Sequence, residues 1–252
     1  MKYITFTNKG SLDICKNMLL SARNVGIEQD IIVYTLDEFS NQELSEFECE
    51  LKSFDSGISE EYHSYGSVEF KSLMTTKIKI ILNELESEDN FVYTDCDVVF
   101  KYNPEEVLKI ADNITAQDYD INVFFANDSL VFESHGESNE LCAGFMHIKN
   151  IKGTKEFFTK IYELSMLALK DSNPDTCDQI IMRNVLHNNA VPNFNYAIYP
   201  CSFVTNGHHY FSVKNITGSE CVIHCNFKVG TRDKINNMKD ADIWYLSEKV
   251  EV

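Results

Sequence analysis

The sequence predicts an α/β domain whose largely parallel sheet is covered by helices on both faces. Two observations carry that expectation. Strand-like apolar runs alternate with segments of helical period along the chain, the pattern of successive βαβ units. No internal repeat, low-complexity tract or Pro/Gly-rich linker divides the 252 residues, so they read as one continuous domain.

The elements follow in order. YITFT (Tyr3–Thr7) reads as a strand, NKGS as a turn, and Leu12 to about Asn24 as a helix by its apolar period. DIIVYTL (Asp30–Leu36) is a second strand, followed by a short helix near Asn41–Phe47. A long helix from about Ser67 to Glu86 feeds a third strand, Asn90 to Thr94. Apolar strands at 121–126 and 143–148 come next, then helices over Thr154–Lys170 and Thr176–His187, and a late strand at 221–224. In such sheets ligands bind beyond the carboxyl ends of the strands, which places a site just past Thr94.

Composition narrows the function. The net charge is −17, from 39 acidic against 22 basic residues, which argues against nucleic acid and against an anionic membrane surface. An enzyme of anionic nucleotides with this charge needs a cation in its site. The eight cysteines are scattered and several lie in apolar runs, as expected for small buried hydrophobes in a reducing compartment. CVIHC offers Cys221, His224 and Cys225 as zinc ligands, but no second pair at finger spacing follows. The N-terminus turns polar after six residues and no segment reaches the ~18–20 apolar residues of a membrane span. A soluble, cytoplasmic protein is expected, in which the sequons at Asn113, Asn127 and Asn215 carry no weight.

FVYTDCDVVF (91–100) sets two carboxylates inside an otherwise buried run. Positions i and i+2 of an extended segment face the same side, so Asp95 and Asp97 are expected to converge. Paired carboxylates repel unless a cation or shared proton lies between them, and hard oxygen ligands suit Mg²⁺ or Mn²⁺. The bland alternative is a solvated strand end. A sharper rival is a haloacid-dehalogenase-like phosphatase, with Asp95 as nucleophile and Asp97 as acid/base. That chemistry needs a later acidic pair on another strand end, and no such motif follows.

On the helix SVEFKSLMTTKIKIILNELE, Lys77 falls within the apolar arc of Leu73, Met74, Ile78, Ile81 and Leu85, while Lys79 lies on the wet side. A lysine there must snorkel or meet an anion, either a structural carboxylate or a phosphate.

These residues together resemble a family. The series TFTN (5–8), VYTLDE (33–38), the Lys77 helix, VYTDCDVVF, LCAGFMHIK (141–149), DQ (178–179), FVTNGHHYF (203–211) and VIHCNFKVGTRDKINNMK (222–239) is similar to the nucleotide-diphospho-sugar transferases of GT-A type. The resemblance implies a Rossmann-like, mostly parallel sheet. Residues 1–100 would be the nucleotide-binding half and 101–252 the sugar- and acceptor-binding half. It implies transfer of a sugar from a nucleoside diphosphate sugar, UDP by family habit, to a glycan or other hydroxyl acceptor, with retention of anomeric configuration.

Carried over by position, Asp95, Asp97 and His224 would hold Mn²⁺ or Mg²⁺, with Asp95 also facing the ribose. Thr7, Asn8, Lys77, Gly144, Asn226, Gly230 and Lys234 would bind the nucleotide and donor. Asp178 and Gln179 would lie beneath the donor sugar as catalytic residues. Thr176-x-x-Gln179 also fits a capping box, so local helix stability is a competing reason for the DQ pair. A non-catalytic sugar-nucleotide binder would share the same site. A pyrophosphorylase is disfavoured because TFTNKGSL has only Gly10 where a Gly-rich phosphate loop is needed.

Overall fold

A computed structural model describes residues 1–57, 61, 63, 66–87, 89–116, 119–130, 140–170, 176–214 and 216–247; the sequon at Asn215 lies outside them. The first third holds β1 (Lys2–Thr7), α1 (Leu12–Asn24), β2 (Ile31–Thr35), α2 (Glu38–Glu43), β3 (Glu50–Ser53) and α3 (Val68–Glu84). Then come β4 (Phe91–Thr94), β5 (Val98–Phe100), α4 (Glu105–Asp112), β6 (Thr115–Ala116), β7 (Tyr119–Asp120), β8 (Val123–Asn127) and β9 (Leu141–Ile148). The remainder is α5 (Thr154–Ala168), α6 (Asp178–His187), β10 (Tyr196–Ile198), β11 (Val204–Asn206), β12 (Val222–His224) and α7 (Thr231–Asp240).

Seven strands form the main sheet in the order β10-β8-β9-β4-β1-β2-β3. Every pairing is parallel except those of β9, which runs antiparallel to β4 and β8. Adjacent residues of β1 face opposite cores. Tyr3 joins Met18, Leu19 and Phe145 on one face, and Ile4 joins Ile78, Ile81, Phe157 and Ile161 on the other. Helices α1 and α3 with α5 thus cover the two faces, as the alternating pattern predicts.

A second, three-stranded sheet has the order β11-β12-β5, with β12 antiparallel to β5. This corrects two expectations. The run 91–100 is not one extended segment: residues 96–97 turn, sending β4 into the large sheet and β5 into the small one. The late strand at 222–224 belongs to the small sheet as well. The expected helix at 41–47 instead spans Glu38–Glu43, because Asp37 caps it by accepting from the Ser40 amide. Among the described residues no helix is long and apolar enough to cross a membrane.

Candidate active site

The turn at 96–97 between the two sheets builds the site. Thr94 pairs with Phe145 across β4 and β9, and the Asp95 amide donates to the Gly144 carbonyl at 2.8 Å. Val98 pairs with His224 across β5 and β12, and the Cys225 amide donates to the Asp97 carbonyl at 2.9 Å. One aspartate is therefore pinned to each sheet, and β12 brings His224 to both. His224 Nε2 lies 3.2 Å from Asp97 Oδ1 and 3.9 Å from Asp95 Oδ2.

One donor atom from each of these three residues lies within 4.8 Å of the other two. Two carboxylate oxygens and an imidazole nitrogen that close fit a single divalent metal ion. Among the described residues this is the one cluster of metal-ligand type, so the cysteines of CVIHC do not join His224 in a zinc site.

Asp97 and His224 are 6% and 4% exposed, and their charges are set by neighbours. Burial disfavours an ionised Asp97, yet Lys234 and His224 hold its carboxyl far below the ordinary aspartate range. Burial also works against a charged His224, but Cys142 and Asp97 raise it well above the usual imidazole value. Lys234 Nζ sits 2.5 Å from Asp97 Oδ2.

Lys77 is 1% exposed. Its ammonium lies 2.8 Å from Asp178 Oδ2 and 3.2 Å from Asp95 Oδ1, over the ring of Tyr93. Burial would lower its pKa, but Asp178 and then Asp95 more than compensate and raise it. The Tyr93 hydroxyl also donates to Asp95 Oδ1 at 2.8 Å. The lysine on the apolar face of its helix has carboxylate partners, and these carboxylates line the cavity.

The capping box expected at Thr176 does not form. Cys177 is the N-cap of α6 and no side chain caps the helix, so Asp178 and Gln179 are free to point inward. Asp178 reaches Lys77, while Gln179 Oε1 accepts from the Ala143 amide at 3.2 Å and its Nε2 donates to Asp128 at 2.9 Å.

Gly144 has a steric reason. A Cβ there would lie 2.1 Å from His224 Cε1, 2.6 Å from His224 Nε2 and 2.9 Å from Asp95 Oδ2. Gly230 serves differently: at φ 94° it starts α7, and an added Cβ would meet nothing within 4 Å.

All these groups surround a cavity of about 540 Å³. Of the residues expected from the sequence, Lys77, Asp95, Asp97, Gly144, Asp178, Gln179, His224, Asn226, Gly230 and Lys234 line it. Thr7 and Asn8 do not. Thr7 is buried against Ser11, and Asn8 bonds Ser11 and the Glu61 carbonyl; Ser11 reaches the cavity instead. Sequence reasoning missed Ser11, Asp128 and Cys142. Ser11 closes the short 3-10 turn before α1 and Asp128 follows β8, neither within a block of the resemblance, whereas Cys142 lies within LCAGFMHIK. His209, left without a role, is buried with Nε2 2.9 Å from the Ser129 carbonyl.

The chain is 24% identical to a UDP-galactose:fucoside alpha-3-galactosyltransferase of Dictyostelium discoideum, over 98% of its own length and 43% of the relative's. It is 21% identical to UDP-D-xylose:L-fucose alpha-1,3-D-xylosyltransferase 3 of Arabidopsis thaliana, over 74% of this chain and 50% of that protein. The chain thus spans about half the length of the curated relatives it matches.

Among solved structures it superposes on the galactosyltransferase LgtC, crystallised with donor and acceptor sugar analogs, at a TM-score of 0.62 and 12% identity, covering 99% of this chain and 98% of that one. The glycosyltransferase GlyE of Streptococcus pneumoniae TIGR4 follows at 0.55 and 13% identity, over 98% and 66% of the two chains. The fold is that of the GT-A glycosyltransferases. The sequence model of one family matches residues 26–238, most of the chain, and on that match this protein belongs to the nucleotide-diphospho-sugar transferases.

Proposed function

We propose that this chain transfers a sugar from a nucleoside diphosphate sugar, a UDP-hexose or UDP-pentose, to a hydroxyl of a glycan or other acceptor. The observation that carries this reading is the cluster of Asp95, Asp97 and His224 at the sheet junction, flanked by Lys77 and Lys234 within one cavity. Anionic protein and anionic donor are reconciled there.

Mn²⁺ or Mg²⁺ held by Asp95, Asp97 and His224 would supply charge stabilisation of the departing diphosphate. The chain's own residues do the rest. Lys234, on the first helix after Gly230, moves its ammonium between Asp97 and the diphosphate. Gly230 leaves open space where the diphosphate approaches the backbone. Lys77 fixes Asp95 and Asp178 relative to each other, and so fixes the metal side of the cavity relative to the sugar side.

Retention of anomeric configuration is the stereochemical outcome we favour. Asp178 is ion-paired with Lys77, and both oxygens of Asp128 accept from amides, so neither carboxylate stands open as a base for an acceptor hydroxyl.

The test is UDP release from UDP-galactose and UDP-xylose, with and without a fucoside acceptor, in Mn²⁺ and then in excess chelator. Metal-dependent release, with a product of the donor's anomeric configuration by NMR, is the expected result. Release unaffected by chelator contradicts the mechanism, and tight donor binding without any release assigns the chain to sugar-nucleotide binding alone.

A further inference from the structure

Asp128 follows β8 outside every block of the resemblance, yet it joins three elements around the cavity. Its Oδ2 accepts from Gln179 Nε2 at 2.9 Å, and its Oδ1 accepts from Asn226 Nδ2 at 2.6 Å. The far ends of both amides are engaged as well. The Ala143 amide donates to Gln179 Oε1 at 3.2 Å, and the Gly207 amide donates to Asn226 Oδ1 at 2.7 Å. An ionised carboxylate only accepts, and a backbone N–H only donates. Each side-chain amide therefore has one permitted orientation, with nitrogen toward Asp128 and oxygen toward the backbone.

The loop carrying Asp128 is itself fixed. Its own amide donates to the Glu140 carbonyl at 2.7 Å, and Asn206 Nδ2 donates to the carbonyls of Asn127 and Ser129. The approach of Gly207 to Asn226 admits no side chain: a Cβ at 207 would lie 2.1 Å from the Asn226 carbonyl oxygen. From Asn226 the contacts continue through Cys142 Sγ, 3.7 Å from Asn226 Nδ2 and 3.3 Å from His224 Nδ1.

We propose that Asp128 is a positioning residue that locks the Gln179 and Asn226 amides in the orientation needed for sugar transfer. It acts through those two side chains, on turnover rather than on donor affinity. Asp128→Asn keeps the shape and presents an NH₂ group to one of the two amides. That amide must then rotate, setting its own nitrogen against a backbone N–H, or leave its place.

The kinetic arm of the test rests on the transferase reading, with UDP-galactose and Mn²⁺ as the probe. Asp128→Asn is expected to lower kcat about 10- to 100-fold, the scale of one hydrogen bond to a charged group, with KM for the donor and the melting temperature little changed. Because it works through Gln179, Asp128→Asn added to Gln179→Ala is expected to cost much less than it costs in the wild type. Asp128→Glu, which restores the charge, recovers part of the rate. Full additivity with Gln179→Ala and likewise with Asn226→Ala overturns the proposal.

A second arm needs no turnover. In ¹⁵N-labelled protein the side-chain NH₂ signals of Gln179 and Asn226 are expected to be resolved and slow to exchange, and to lose protection in Asp128→Asn. Unchanged protection overturns the positioning role. Should the wild type release no UDP from any nucleotide sugar, the transferase reading fails while this arm still decides the role of Asp128.

Discussion

A methyl group at position 144 would collide with Cε1 and Nε2 of His224 and with Asp95, two members of the candidate metal site. Gly144→Ala is therefore expected to push His224 off its place rather than perturb the strand. Metal affinity by Mn²⁺ titration should fall at least tenfold, as for loss of a group that orients a ligand, with a stability cost of about 1–3 kcal/mol in urea melts. An alanine variant that binds Mn²⁺ like the wild type would remove the steric role assigned to this glycine. Lys234 makes the opposite prediction. Its ammonium holds Asp97 Oδ2 while His224 lies nearest Oδ1, so lysine and metal would draw on the same carboxylate. Lys234→Met should bind Mn²⁺ more tightly than the wild type without nucleotide and bind UDP more weakly once metal is present, both measurable by calorimetry. Weaker Mn²⁺ binding in the variant would show that the lysine supports the ion instead. At this scale the sequence was legible where a residue broke a pattern. Lys77 stood out because it fell on an apolar arc, and Asp95 and Asp97 because they interrupted a buried run. Asp128 breaks no pattern, and only the fold brings it to Gln179 and Asn226.

Between elements, Lys77 ties α3 to the end of β4 and the start of α6. Removing it leaves Asp178, 5% exposed, without its countercharge. Lys77→Met is expected to destabilise the fold by about 3–5 kcal/mol, the range for breaking a buried pair. Lys79→Met, two residues along on the exposed face, should stay within about 0.5 kcal/mol. Equal effects in denaturant titrations would contradict the buried linkage.

Glu220, at the entry to β12, is buried and accepts from the amide of Gly218 and from the Thr217 hydroxyl at 2.9 Å. Burial raises its pKa, but the hydrogen bonds with Thr217 and the nearby Lys101 lower it overall. A depressed carboxyl stabilises the fold above the unfolded glutamate value, near 4.3, and loses that contribution as pH falls toward the folded value. Glu220→Gln should remove that part of the acid dependence below pH ~4. An unchanged acid melting profile would show that Glu220 contributes nothing there. Two of the elements that the sequence reading missed are polar ones. β3 is a half-exposed edge strand of sequence ELKS, and α7 buries only Met238, so neither carries an apolar period. The third strand ends at Thr94 as expected, but 95–97 reads as extended because nothing local marks the turn there.

For the whole molecule, the α/β class and the covered sheet followed from alternation of apolar runs, and the two cores bear that out. The antiparallel course of β9 and the second sheet did not follow, since strand direction is set by long-range pairing and leaves little trace in a single strand's composition. The site depends on both hidden features. β9 delivers Cys142, Ala143 and Gly144 to the end of β4, and the small sheet delivers His224 to Asp97. Ten of the twelve expected site residues line the cavity.

Net charge motivates the central proposal, that a chain of −17 grips a diphosphate through a cation held at Asp95, Asp97 and His224. The direct measurement is calorimetric titration of UDP into the wild type and into Asp97→Ala, each in Mn²⁺ and in excess chelator. Tight binding by the wild type in Mn²⁺, with at least a hundredfold loss (about 2.7 kcal/mol) both in chelator and in a folded Asp97→Ala, is the result expected. Equal UDP affinity with and without the metal would contradict the account.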